Sequence, residues 1–323
     1  MKTLFYVSPS GEGHRNLAVD EWLLDTLGKD DMALYFYINK NAVIIGKNQN
    51  PWKECNLTHM REDGVELVRR ITGGGAVYHD EGNLNFSFIA GVNRYDEHKQ
   101  FELILNAVRR LGIPCEFSGK NDLKADGMKF SGNAFCKRGE TRQHHGTLLV
   151  SADLKKLSNY LNPDPLKMKA KGVSSVRQKV CNLNEFNEKL TTDMMLSAIK
   201  EAYKEVYGEY SELELTEKDE REIAPYYEKQ CSWEWMMGNT PQFDVLLEER
   251  FNWGGMQLHI NAKNGKISEI KVYTDANDAN LAGICEEALL ETRFNKEDMS
   301  EALLKTGREE LADVSKCILS KNI

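Results

Sequence analysis

The chain has 323 residues, enough for one large domain and one small one. Its 41% hydrophobic and 28% charged content is ordinary for a globular protein, and no run approaches the roughly 20 apolar residues of a membrane helix. A net charge of −8 argues against a general nucleic-acid binder, which carries a basic surplus, while leaving room for a local basic patch.

The amino terminus is short and interrupted by polar residues, so it reads as a first strand and not as a secretory signal. Asn16 suits a helix N-cap, with residues 17–27 helical and Gly28 as the stop. Residues 33–38 and 43–45 are β-type runs expected to form a hairpin through Asn39-Lys40-Asn41. A strand over 66–70 leads into Gly73-Gly74-Gly75. A short strand then carries Tyr78, His79 and Asp80, and another follows over 85–90. Phe101, Ile104, Leu105, Val108 and Leu111 keep helical spacing up to Gly112.

Short strands are expected over 115–117, 128–131, 134–136 and 146–150, then a helix over 153–161. A second amphipathic helix runs through Met194, Met195, Ala198, Ile199 and Ala202 and ends at Gly208. Composition changes after Trp233, and Gly238-Asn239-Thr240-Pro241 reads as a connector. Beyond it, Asn264-Gly265 between two β-type runs is a strong hairpin signal, and helices fill the chain from about residue 279. The expected class is α+β: a catalytic domain of mixed sheet and flanking helices over 1–245, and a small α+β module over 246–323.

The seven cysteines are never spaced C-x-x-C, so they suggest neither a zinc site nor a disulfide framework. They read as reduced thiols of a cytoplasmic protein.

The chemistry concentrates in three places. Three consecutive glycines lose much backbone freedom on folding and are tolerated where something approaches the main chain. Beside Arg70, bare N–H groups suit phosphate oxygens. No Walker A string occurs, and Tyr78 stands where the dinucleotide pattern needs its last glycine. Taken alone, the loop stays open between a phosphate cradle and a tight strand-to-strand turn.

Second, Lys129-Phe130-Ser131-Gly132-Asn133-Ala134 alternates like a strand. Its lysine is a compact cation able to neutralise a phosphoryl or carboxylate oxygen, or else a solvated strand residue. Asp122 stands between a Mg²⁺ ligand and an Asx turn with Asn121. Third, His144 and His145 read as hydrogen-bonded structural residues, since no further ligand cluster accompanies them.

In this order, the RRxxGGGAVxHDxGN loop, the KxSGxA strand and the HHGTLL strand resemble the lipoate–protein ligase A family of the wider biotin/lipoate ligase fold. The resemblance covers nearly the whole chain and includes residues 16–21, 43–52, 160–163, 171–177 and 232–235. Residues 249–255 are similar to the start of that family's small carboxy-terminal domain.

The resemblance implies an ATP-dependent ligase, with Mg²⁺, that converts free lipoate or octanoate to lipoyl-AMP and releases pyrophosphate. It then passes the acyl group to a carrier lysine. On this mapping Arg70 and the backbone of Gly75, Ala76, Val77 and Tyr78 hold ATP. Lys129 bridges the lipoate carboxyl and the α-phosphate. Leu17, Val19, Tyr37, Val77 and His79 surround the acyl tail, and Asp122 is the metal candidate. Arg69 is expected to pair with surface carboxylates, and residues 167–177 to close over the adenylate.

Implied partners are lipoyl domains of 2-oxoacid dehydrogenase complexes and the glycine-cleavage carrier protein, with no nucleic acid and no membrane. Two other readings stand beside it. One is an octanoyl or lipoyl transferase of the same fold with Cys136 as thioester nucleophile. The other is a non-catalytic lipoate-binding protein.

Overall fold

Two units make up the computed structural model, which describes residues 1–119, 121–161, 167–170, 179–240, 243–274, 276, 278 and 280–323. Among these, the first unit is drawn from Met1–Lys47, Val65–Ser158 and Val176–Cys231, and the second from Asn48–Gly64, Asn159–Ser175 and Ser232–Ile323. The division expected at 245/246 falls inside the strand Phe243–Phe251.

The first unit is built on an eight-stranded mixed sheet. Its order is Ser211–Glu212, Thr3–Val7, Met32–Tyr37, Asn83–Gly91, Thr141–Leu149, Met128–Arg138, Asp122–Ala125 and Glu116–Ser118. Thr3–Val7 runs parallel to both its neighbours, and the remaining pairs are antiparallel.

Successive side chains of a strand face opposite sides, and Met32–Tyr37 is buried along its whole length. Met32, Leu34 and Phe36 enter one core with the helices Glu97–Arg110 and Thr192–Tyr207. Tyr35 and Tyr37 enter a second core with the helix Gly13–Thr26. A separate three-stranded sheet has Asn41–Ile45 in the middle, parallel to Glu66–Arg69 and antiparallel to Val77–Asp80.

Three expectations are corrected here. The helix begins at Gly13 with Glu12 as N-cap, so Asn16 lies inside it. There its buried side chain accepts from Ser8 Oγ at 2.7 Å and donates to Asn39 Oδ1 at 2.9 Å. The runs on either side of Asn39-Lys40-Asn41 belong to different sheets, so they form no hairpin. The two short strands expected around Gly132 are one strand, Met128–Arg138. A bulge opposite Leu123/Lys124 interrupts its register and so breaks the simple alternation.

In the second unit, Lys167–Ala170, Phe243–Phe251, Gly254–Lys263 and Lys266–Thr274 form an antiparallel sheet. The Asn264-Gly265 turn has both residues at positive φ, 53° and 71°, as a two-residue hairpin of this twist requires. Helices Leu281–Leu289, Lys296–Leu304 and Glu309–Ser320 follow. Trp52 packs its ring against Trp233, Phe243 and Phe294, so residues far ahead in sequence belong to this core. Among the described residues no helix is long and apolar enough to cross a membrane.

Candidate active site

The triple-glycine loop connects the two outer strands of the small sheet and so passes the end of the middle one. Gly46, just beyond that middle strand, has no room for a side chain: a Cβ there would lie 2.1 Å from the Gly74 carbonyl oxygen. Gly74 itself sits at φ 100°, where only glycine is at ease. Lys47 N–H donates to the Thr72 carbonyl at 2.8 Å and ties the loop's start to the same segment. Gly73 and Gly74 remain exposed.

Arg70 shapes this loop from below. Its Nε donates to the Gly73 carbonyl at 3.1 Å, Nη1 to Ile44 at 3.1 Å, and Nη2 to Gly73 and Gly75 at 2.7 and 2.8 Å. Burial lowers the guanidinium pKa to about 10, so it stays charged at neutral pH. Expected as a ligand for ATP, Arg70 spends its donors here on main-chain carbonyls, which directs those oxygens inward.

Arg69 differs from expectation. It is fully buried and donates through Nη1 to the carbonyls of Gly46 and Lys47 at 3.3 and 2.9 Å. Its full burial takes it off the surface where it was expected, and the Nη1 bonds hold the main chain at the end of the middle strand.

His79 leaves the loop on Val77–Asp80 and is 4% exposed. Asn39 Nδ2 lies 3.1 Å from its Nδ1. Because Asn39 Oδ1 already accepts from Asn16, the amide nitrogen donates to the ring, and Nε2 carries the imidazole proton. Burial, then Arg70 and His145, lower the His79 pKa to about 3, so the ring is neutral. Its Nε2–H is buried with no hydrogen-bond partner among the described residues. Such an orphan donor is costly and marks a place where a ligand or water belongs.

The adjacent histidines divide between the two faces of their strand. His144 enters the first core among Phe86, Phe88, Phe101 and Phe135, with its nitrogens 3.0 Å from Gln100 Oε1 and 2.9 Å from Asn133 Oδ1. Burial lowers its pKa to about 3. His145 faces the other way, with Nε2 2.8 Å from Thr72 Oγ1 and Nδ1 3.2 Å from Asp20 Oδ2.

Thr72 therefore anchors the glycine loop to the large sheet, at a histidine paired across strands with Ala134. Sequence reasoning missed Thr72, Asp20, Asn39 and Gly46. A polar Asp20 amid Leu17, Ala18, Val19 and Leu23 was the available signal for one of them.

Ala134 lies on the strand that carries Lys129. The lysine Nζ is 2.8 Å from Asp122 Oδ1, and the two side chains are only 23% and 12% exposed. Gly132 is the register partner of Asp122. A Cβ at Gly132 would come within 2.9 Å of both Cε and Nζ of Lys129, so glycine leaves the space in which the lysine lies. Lys129 N–H donates to the Lys179 carbonyl and its own carbonyl accepts from Cys181 N–H, each at 3.0 Å. Of the candidate closing segment, residues 167–177, Lys167–Ala170 form a strand paired with Phe243–Phe251, residues 171–177 lie outside the described residues, and the described chain resumes at Lys179.

Leu17, Val19 and Tyr37 are buried together, with Val77 packed against them. Ala76 and Tyr78 are also buried, and the Tyr78 hydroxyl donates to Asn41 Oδ1 at 2.8 Å. Cys136 borders the same cluster. Burial raises its pKa, against smaller opposing effects of Arg138 and Lys47, which is the reverse of what a thiolate nucleophile needs. His144 and His145 are both committed elsewhere, so neither activates this thiol, and its burial does not favour the thioester reading.

Comparison with known proteins sets this arrangement in a lineage. Residues 12–204 match the family model of the lipoyl protein ligase A/B catalytic domain, and residues 240–317 that of the bacterial lipoate protein ligase C-terminus. Lipoate-protein ligase A of Psychrobacter cryohalolentis is 40% identical, over 95% of each chain. A crystal structure of Plasmodium falciparum LipL1 in complex with lipoate superposes with a TM-score of 0.67 at 30% identity, covering 99% of this chain and 100% of that one. A crystal structure titled lipoate-protein ligase A bound with ATP gives 0.62 at 30% identity, covering 74% and 98%.

Proposed function

This chain belongs to the bacterial lipoate–protein ligase A family, and we infer from that premise that it is an ATP-dependent ligase acting on free lipoate, or octanoate, in two steps. A lipoate carboxylate oxygen attacks the α-phosphorus of ATP, the bond to pyrophosphate breaks, and lipoyl-AMP forms. The ε-amine of a carrier lysine then attacks the acyl carbon, AMP leaves, and the amine proton passes to solvent. Adenylation is needed because an amine will not displace oxide from a carboxylate at neutral pH.

The observation that carries the assignment of roles is Lys129, held over Gly132 by Asp122. We assign it to bridge the lipoate carboxyl and the α-phosphate. A preorganised cation there stabilises negative charge as it develops, with little reorganisation at the moment of reaction. The loop at 73–78 presents the backbone of Gly75, Ala76, Val77 and Tyr78 to the nucleotide, and Arg70 holds that backbone in shape.

The acyl tail lies along Leu17, Val19, Tyr37 and Val77, with His79 Nε2–H as the polar contact at its end. Water is excluded from such a cluster, which protects the mixed anhydride.

Asp122 offers a hard carboxylate oxygen, and Mg²⁺ is satisfied by one carboxylate with substrate phosphates and waters. The donor chemistry fits, so Asp122 would hold the ion, whose charge would offset that of the phosphates. We place the reaction in the cytoplasm, with lipoyl domains of 2-oxoacid dehydrogenase complexes and the glycine-cleavage carrier protein as acceptors. The module at the carboxy terminus supports a ligase that completes both half-reactions.

The test combines purified chain, ATP, Mg²⁺, lipoate and an apo carrier domain, and reads carrier mass and pyrophosphate. Lys129→Ala should slow pyrophosphate release by at least about 10²-fold while leaving circular dichroism unchanged. Wild-type rates in that variant would remove the assignment.

A further inference from the structure

We propose that Glu12, His14 and Cys231 form a zinc-binding site, separate from the Lys129–Asp122 pair. Glu12 caps the helix Gly13–Thr26, His14 lies in its first turn, and Cys231 ends the helix Glu217–Cys231. One ligand atom from each residue lies within 4.8 Å of the other two.

A carboxylate oxygen, an imidazole nitrogen and a sulfur make a mixed donor set that suits zinc. Magnesium and calcium take oxygen alone. Three protein ligands leave a fourth tetrahedral position for water, and the exposure of Cys231 leaves that side open to solvent. The neighbours fit the role of outer-sphere support, which orients metal ligands. The Tyr227 hydroxyl donates to Glu12 Oε1 at 2.6 Å, and Glu66 Oε2 accepts from Gly13 N–H at 2.8 Å.

Glu66 and Glu12 bring two carboxylates to the start of the helix Gly13–Thr26, one of them through Gly13 N–H, and their charge favours a divalent cation. Zinc bound here would pin the start of the helix that carries Leu17, Val19 and Asp20. No spacing in the sequence announces it, because the donors come from helices at opposite ends of the first unit's chain.

The test is calorimetric titration of the full-length, metal-stripped protein with zinc chloride. The expected result is one zinc per chain. His14→Gln and Cys231→Ser should weaken binding by more than about 100-fold, and Tyr227→Phe by about tenfold, as for an outer-sphere partner. Cobalt(II) gives a second readout. The wild type and Cys136→Ser should both show a thiolate-to-cobalt charge-transfer band that Cys231→Ser lacks. A wild type that takes up no zinc, or a Cys231→Ser variant with wild-type affinity or an intact band, would overturn the proposal.

Discussion

The turn at Asn264-Gly265 and the loop at 72–77 both depend on glycine, and for different reasons. In the hairpin, Lys263 pairs with Lys266, and the two residues between them adopt positive φ. The turn conformation is set within a few residues, every second residue of the strand Gly254–Lys263 is buried, and a Cβ at Gly265 would come to 3.0 Å from Trp233 Nε1 and 3.1 Å from Gly238. In the loop, only part of the requirement is local. Gly74 takes positive φ, yet the closest approach is to Gly46, beyond the middle strand, and three hydrogen bonds from Arg70 to loop carbonyls, with a fourth to Ile44, define the path. Glycine mainly relaxes a backbone angle in the hairpin, where the nearest distant atoms would give by a few tenths of an ångström, and at Gly46 it clears space for a distant carbonyl that would otherwise lie at 2.1 Å.

That contrast can be broken by experiment. The largest stability effect is expected for Arg70→Met, which leaves the buried Ile44 carbonyl and the part-buried bonds to Gly73 and Gly75 without their donor. It should cost about 3–5 kcal/mol in urea denaturation and abolish adenylation. A variant with a wild-type midpoint would show that the guanidinium does not hold the loop.

Acid should separate the two regions next. His79 and His144 have folded pKa values of about 3, depressed from 6.5 chiefly by burial. Above pH 6.5 both states are neutral at these rings. As pH falls, the unfolded chain takes up protons that the folded rings refuse, so stability is lost between about pH 6.5 and 3. Each ring contributes a slope of about 1.4 kcal/mol per pH unit. The hairpin's own histidine, His259, is exposed. Denaturation midpoints that do not change between pH 7 and pH 5 would contradict this assignment of buried, neutral rings.

Gly46→Ala is expected to cost about 1–3 kcal/mol, because its new methyl meets a backbone oxygen at 2.1 Å. A displaced loop should also reduce pyrophosphate release by about 10²-fold. Gly265→Ala should have the smallest effect. Its φ of 71° costs an alanine roughly 1 kcal/mol, with a smaller addition from a methyl 3.0 Å from Trp233 Nε1 and 3.1 Å from Gly238, and lipoate adenylation should be unchanged. If Gly265→Ala harmed adenylation as much as Gly46→Ala, the distinction between the two turns would fail.

Much of the fold was legible in the residues. The helix ending at Gly208, the strand into the glycines, the mixed sheet and the carboxy-terminal hairpin follow from period, caps and turn chemistry. The roles of neighbours were harder. His144 and His145 look alike in sequence, but one is wrapped in aromatic rings and the other binds Thr72 and Asp20. Arg69 and Arg70 are equally adjacent, and both were read toward surface or ligand. Each also donates to main-chain carbonyls that a linear reading cannot see.

By itself, the sequence determined what short-range forces can encode: which segments are mostly strand or helix, which turns need glycine, and the motif strings that assign the family. Tertiary structure alone decided that Gly132 makes room for Lys129, that Gly46 abuts Gly74, and that Cys231 meets Glu12 and His14. The reason is physical. Periodicity and φ preferences act over a few residues, whereas the partner of a buried polar group is set by which distant segment packing brings beside it.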